Sequence, residues 1–147
     1  ISSDDNSIRE RLRFYKAAIS SIKQNPILGV GVGNWKIKST KYDRSVMADY
    51  TVPYFAHNDF LQVAAETGIL GAFFYIAFIF CIPIIVLKKI LQRKEGFIDI
   101  IILSMFIVFI VDSMLNFPMA RPINHIFMIF MTCLFIYLNQ KSTLVKE

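Results

Sequence analysis

Cysteine, histidine and glycine are all scarce in this chain, and each scarcity closes a route to function. The two cysteines, Cys81 and Cys133, fall inside apolar runs. A disulfide scaffold or a zinc site wants clustered ligands at short spacing, so neither is expected. His57 stands alone in the first half of the chain, and the nearby carboxylates Asp59 and Glu66 are seven residues apart. That is poor metal-ligand spacing, so no metal and no cofactor is expected. Glycine is concentrated at Gly29, Gly31 and Gly33, but the dinucleotide fingerprint G-x-G-x-x-G is not met and no Gly-Lys-Ser/Thr occurs. These glycines read as a backbone that needs positive φ or close packing. Charge is sparse at 18% of residues, and the low hydrophobicity of a disordered chain is absent. The net charge of +5 does not collect on a face with interleaved aromatics, so no nucleic-acid partner is expected.

What is abundant is apolar: 55% of residues are hydrophobic and 14 are Phe. The composition changes near Gly68. Residues 1–68 hold nine Lys/Arg and seven Asp/Glu, whereas residues 69–147 hold seven and four, almost all in the gaps between apolar runs. Ile69 to Leu87 is 19 residues without a charge. As a helix it covers roughly 28 Å, close to the hydrocarbon thickness of a bilayer. A second run covers residues 97–117 and a third covers 123–138. Pro83 inside the first run is tolerable in a kinked membrane helix. The fold class predicted is mainly α: a helical membrane bundle with three spans and a helical segment, residues 1–68, outside the membrane. No apolar run lies at the start as a signal peptide would, and a chain beginning at Ile1 reads as a piece of a longer protein.

Orientation follows from the cations. Lys88, Lys89, Arg93 and Lys94 crowd the loop after the first run, and Lys141 and Lys146 follow the third. Both belong on the cytoplasmic side by the positive-inside rule, which leaves residues 1–68 and the short loop containing Arg121 outside.

In the outer segment, Ser7 with Glu10 has capping-box spacing for a helix from Ile8. Ile8, Leu12, Tyr15, Ala18, Ile19 and Ile22 form its apolar stripe. It should stop near Asn25, ahead of Pro26. Residues 36–55 show no period and read as a loop. A second short helix should begin at Asn58 or Asp59 and run to Glu66, with Gly68 ending or bending it. The segment has too little apolar content to stand alone and should pack on the rest of the protein and the membrane surface.

Several residues invite chemistry. His57 precedes a helix start at the outer face, where a neutral imidazole can take a proton; a lone histidine is otherwise structural. Arg9, Arg11 and Arg13 could be a solvated face, but Arg11 lies beside the apolar stripe, and its forked donors suit a phosphate. Asp112 and Asn116 share one face of the second run, and an ionisable group inside a span is a functional suspect. Arg121 and His125 follow closely; the structural alternative is an Asp112–Arg121 pair. Asp99 can reach the interface from its span end.

The order of these residues resembles the O-antigen ligase/polymerase family of bacterial membrane proteins. The resembling stretches are Arg11-Leu12-Arg13-Phe14-Tyr15-Lys16-Ala17-Ala18, then residues 25–35 (Asn-Pro-Ile-Leu-Gly-Val-Gly-Val-Gly-Asn-Trp), then His57-Asn58-Asp59-Phe60-Leu61-Gln62 with Glu66-Thr67-Gly68-Ile69-Leu70-Gly71. Together they cover about residues 7–75 and are specific in combination. Asn116-Phe117-Pro118 with Arg121-Pro122 resembles the family's tail. Tyr15 departs from the pattern, which often has Trp there.

The resemblance implies a multi-pass protein of the cytoplasmic (inner) membrane. It would move a glycan from an undecaprenyl-pyrophosphate carrier to an acceptor hydroxyl on lipid A-core, a growing glycan or a protein, without a metal. Membrane lipids are then its surroundings. By the same resemblance His57 is the catalytic residue and Arg11 the pyrophosphate ligand, with a second family arginine upstream of Ile1. Arg121 joins Arg11 as a pyrophosphate ligand, and Asn58, Asp112 and His125 support them. Ligase, polymerase and protein O-glycosyltransferase share these motifs. A transporter of bicarbonate or another small solute, using Asp112, Arg121 and His125, is the alternative, as is a non-enzymatic membrane protein.

Overall fold

A computed structural model describes residues 3–42, 54–92 and 96–144. Among them every regular element is helical: α1 (Ser3–Gln24), α2 (Trp35–Tyr42), α3 (Asp59–Leu91), α4 (Phe97–Leu115) and α5 (Pro122–Leu144), with a 3-10 turn at Pro118–Ala120. α3, α4 and α5 are long and apolar enough to cross a membrane. The chain is a mainly α membrane protein, as the apolar runs predict. α4 stops short of the expected end at Phe117, because Pro118 pushes the residues before it out of the helical region. Residues 43–53 of the expected loop, and Arg93, Lys94 and Lys146 of the basic clusters, lie outside the described residues.

The helices fall into two compact units: Ile1–Ile76 with Ser113–Phe117, and Ala77–Asp112 with Pro118–Glu147. The first is organised around the single tryptophan. Trp35 is fully buried among Ala17, Ala18, Ala56 and Ala65, with Ile22, Tyr42 and Leu61 packed against that cluster. Burying a ring of this size is worth roughly 4–6 kcal/mol by area. Small side chains on three segments are what let their backbones approach it.

That core corrects three expectations. α1 begins at Ser3, not Ile8, so Ser7 lies within the helix and does not cap it; no proline or glycine stands between them to stop the extra turn. The buried face of α1 is Phe14, Ala17, Ala18 and Ser21, while Ile8, Leu12 and Ile19 of the expected stripe are exposed. The small residues win because only they fit against the indole. Finally, residues 36–42 of the expected loop are helix, because α2 runs from Trp35 to Tyr42. The N-terminus of α2 is capped from afar: the Trp35 amide donates to Glu66 Oε1 at 3.2 Å.

The bend at Gly68 is a corner. Phe60 and Tyr75 have ring centroids 5.6 Å apart. In a straight helix, fifteen residues would separate them by about 22 Å along the axis. Gly68 sits at φ 73°, ψ −176°, between a short limb from Asp59 and the long apolar limb. The glycine-rich loop closes this corner. The Val30 and Gly31 amides donate to the Ala65 and Glu66 carbonyls at 2.9 and 2.8 Å, and the Ile69 amide donates to the Pro26 carbonyl at 2.7 Å. They satisfy polar groups that a helix break leaves open. The two backbones meet so closely that a Cβ on Gly29 would overlap Glu66, and one on Gly68 would overlap Ile27. The glycines are structural, as expected from the absent phosphate-loop pattern.

In the second unit, Lys89 Nζ pairs with Asp99 Oδ1 at 3.0 Å, and Asp99 Oδ2 accepts the Gly96 amide at 2.9 Å, capping α4. Asp99 thus has a structural task at its helix start. Pro122 opens α5, where a missing amide hydrogen costs nothing.

Candidate functional site

The turn before α3 presents His57. Asn58 Oδ1 accepts the Leu61 amide at 3.0 Å, and Gln62 Oε1 reaches back to accept the Ala56 amide at 3.0 Å. Asn58 is therefore the N-cap of the short limb, as its position predicts. Its Nδ2 donates to the Met114 carbonyl at 3.0 Å, in the last turn of α4, where carbonyls lack helical partners. His57 itself takes φ 55°, the left-handed region. A non-glycine residue holds that shape when its neighbours over-determine it. Here the Tyr15 hydroxyl is the holder: it donates to the His57 carbonyl at 3.0 Å and also approaches the Met114 carbonyl at 3.3 Å.

The imidazole lies between aromatic rings. Phe14 stacks on it at 5.9 Å between centroids and 17° between planes, and Phe117 meets it edge-on at 5.0 Å and 83°. Phe117 in turn stacks on Phe55 at 4.4 Å. His57 Nδ1 is buried and has no hydrogen-bond partner among the described residues. Burial lowers the pKa of His57 from its ordinary 6.5, the positive charge of Arg11 lowers it further, and Glu10 opposes them. The ring is thus neutral at neutral pH. It has an unengaged nitrogen, and a half-buried guanidinium acts on it electrostatically.

His57, Asn58 and Arg11 therefore belong to one site. Asp112, Arg121 and His125 belong to the second unit. Asp112 is half-buried and interacts with another group; Arg121 is exposed and also engaged. His125 lines an apolar cavity of about 260 Å³ with Phe78, Ile79, Met119, Met128 and Ile129. Among the described residues no three His, Cys, Asp or Glu side chains are grouped to hold a metal.

Sequence reasoning missed three participants. Phe14 and Phe117 wall the imidazole, and Tyr15 fixes its backbone. All three lie in the stretches quoted for the family resemblance, but their adjacency to His57 is a tertiary fact. Asp59, at the first turn of α3, is buried at 3% exposure, which suits a carboxylate at a helix N-terminus.

A sequence model of a family described as O-antigen ligase matches residues 2–76, just over half of the chain. No curated protein and no solved structure gives a match.

Proposed function

The chain belongs to the O-antigen ligase family, and on that footing we propose that it transfers a glycan from an undecaprenyl-pyrophosphate carrier to an acceptor hydroxyl at the outer face of the cytoplasmic membrane. The observation that carries this reading is the neutral, aromatic-walled imidazole of His57 under the charge of Arg11. A transfer to a hydroxyl needs that pair: a base for the acceptor and a cation for the leaving group.

The step balances simply. The acceptor oxygen bonds to the anomeric carbon as that carbon's bond to the pyrophosphate oxygen breaks. The hydroxyl proton passes to the imidazole, whose lowered pKa keeps it available as a base. The bonding electrons leave with the carrier pyrophosphate, and Arg11 stabilises the growing negative charge through its planar donors. Pyrophosphate is a good leaving group, so no strong acid is required and no step is assigned to a metal. Arg121 is proposed as a second contact to the pyrophosphate, with Asp112, His125 and Asn58 in support. The acceptors consistent with the family are lipid A-core, a growing glycan or a protein. Residues 1–68 are proposed to be periplasmic or extracellular, where the carrier presents its glycan.

The test is glycan analysis in a deletion strain carrying each variant at normal abundance in the membrane. His57→Ala and Arg11→Ala should abolish transfer and leave carrier-linked glycan to accumulate. General-base assistance is typically worth about 10²- to 10⁴-fold, so the loss is easily read. Arg11→Lys should fail in large part, because lysine keeps the charge and loses the fork. Full transfer by His57→Ala protein would return the imidazole to a structural role and overturn the proposal.

A further inference from the structure

The loop that closes the Gly68 corner carries two of the barest apolar side chains in its unit. Ile27 is 69% and Leu28 is 79% exposed. Their backbone is not free to move away from the membrane-crossing helix, because the Pro26 carbonyl accepts the Ile69 amide at 2.7 Å and the next turn of the loop is bonded to Ala65 and Glu66. Ile69 and Leu70, which open the long apolar limb of α3, are themselves 60% and 57% exposed. The four exposed apolar side chains thus stand on two segments bonded to each other where the apolar limb of α3 begins.

The stretch of chain that carries the loop has charge of one sign, and the carboxylate that meets it in space, Glu66, is taken up by the Trp35 amide. From Arg11 to Tyr42 the sequence contains no Asp or Glu, while Lys16, Lys23, Lys36, Lys38 and Lys41 are all exposed there. Apolar tips on a stretch whose exposed charges are all lysines match a bilayer interface, which offers acyl chains and anionic headgroups together. A covering protein surface would be expected to supply carboxylates or an apolar groove. A leaflet supplies both layers at the depth where α3 begins its crossing.

We infer that Ile27 and Leu28 are a membrane wedge, seated in the outer-leaflet interface among anionic lipids and locked to the first turn of the crossing helix. This does not depend on glycan transfer. The test uses the full chain with Cys81→Ser and Cys133→Ser, reconstituted in phosphatidylcholine–phosphatidylglycerol vesicles. Leu28→Cys carries an environment-sensitive fluorophore, with bromine placed high on the lipid acyl chains as one quencher and aqueous iodide as the other. Trp35 emission verifies the fold of each variant, and Ile27→Cys replaces Leu28→Cys if that emission shifts. Strong quenching by the brominated lipid with protection from iodide is the expected result. Lys23→Gln with Lys36→Gln should weaken the lipid quenching. Quenching by iodide alone would overturn the inference. Protection from both quenchers would also overturn it, by showing that another part of the protein covers the wedge.

Discussion

Replacing Gly68 by alanine tests whether the corner holds the site together. At φ 73° and ψ −176° the backbone occupies a region that is essentially glycine's own, and holding another residue there costs on the order of 1–3 kcal/mol. The new Cβ would overlap the Ile27 carbonyl and lie 2.8 Å from the Leu28 nitrogen. Those are backbone atoms with no flexible side chain to yield, so crowding adds roughly 1–3 kcal/mol. Against this stand the hydrogen bonds of Val30, Gly31 and Ile69, worth about 0.5–1.5 kcal/mol each. The penalty matches or exceeds what the bonds supply, so the loop should lift away.

Trp35 is the only tryptophan, is fully buried, and is tied by its amide to Glu66 beside the corner. Its emission should shift to the red and become open to acrylamide in Gly68→Ala. Gly33→Ala is the control: φ is +75°, but nothing lies within 4 Å of the added carbon, so only the backbone cost of about 1–2 kcal/mol applies. The reasoning fails if Gly68→Ala keeps the parent emission and thermal midpoint, or if Gly33→Ala disturbs Trp35 equally.

Tyr15→Phe removes the hydroxyl that holds His57 in its left-handed turn, at a cost of about 0.5–1.5 kcal/mol in hydrogen bonding; transfer should fall at unchanged protein abundance, and unchanged transfer would refute the positioning role. Because the His57 pKa is lowered, transfer should persist through neutral pH and decline only below 6.5, as the ring protonates. Glu10→Gln removes the opposing influence and should move that acid limb to lower pH in a pH–rate profile. Stability follows the same sign: the unfolded ring binds protons more readily, so its contribution is present above 6.5 and is lost as pH falls through the depressed folded value. Thiol labelling from outside intact cells should reach Thr40→Cys and miss Arg93→Cys; the reverse pattern would invert the proposed topology.

The crossing helices were legible because helices long enough to span a bilayer show as apolar runs, broken in α4 only by Asp99 and Asp112. The Asn58 cap and the bend at Gly68 were legible because both obey local rules. The helix at residues 35–42 was not: Asn34 stands in the cap position, but its side chain turns back to Val30 and the Trp35 amide is met by Glu66, 31 residues away. The face of α1 was misjudged for a related reason. Hydrophobicity ranks Ile8 and Ile19 above Ala17 and Ser21, but the space beside Trp35 selects for smallness. At the site, type and order single out His57 and Arg11, and the structure places the two within electrostatic reach of each other. Tyr15 and the rings of Phe14 and Phe117 were not legible, because their contacts with the histidine join segments far apart in sequence.

A corner bonded on both sides transmits angles instead of absorbing them. The short limb, nine residues from Asp59 to Thr67, is an arm of about 13 Å, with His57 just beyond its free end. If the crossing helix tilts by about 10° to match a thinner or thicker bilayer, a stiff elbow swings that end by roughly 2 Å. Displacements of about 1 Å are enough to cost a reaction two orders of magnitude. On the proposed function, the thickness of the host membrane would set the distance between His57 and its lipid-borne substrate, and activity should track acyl-chain length even where binding does not.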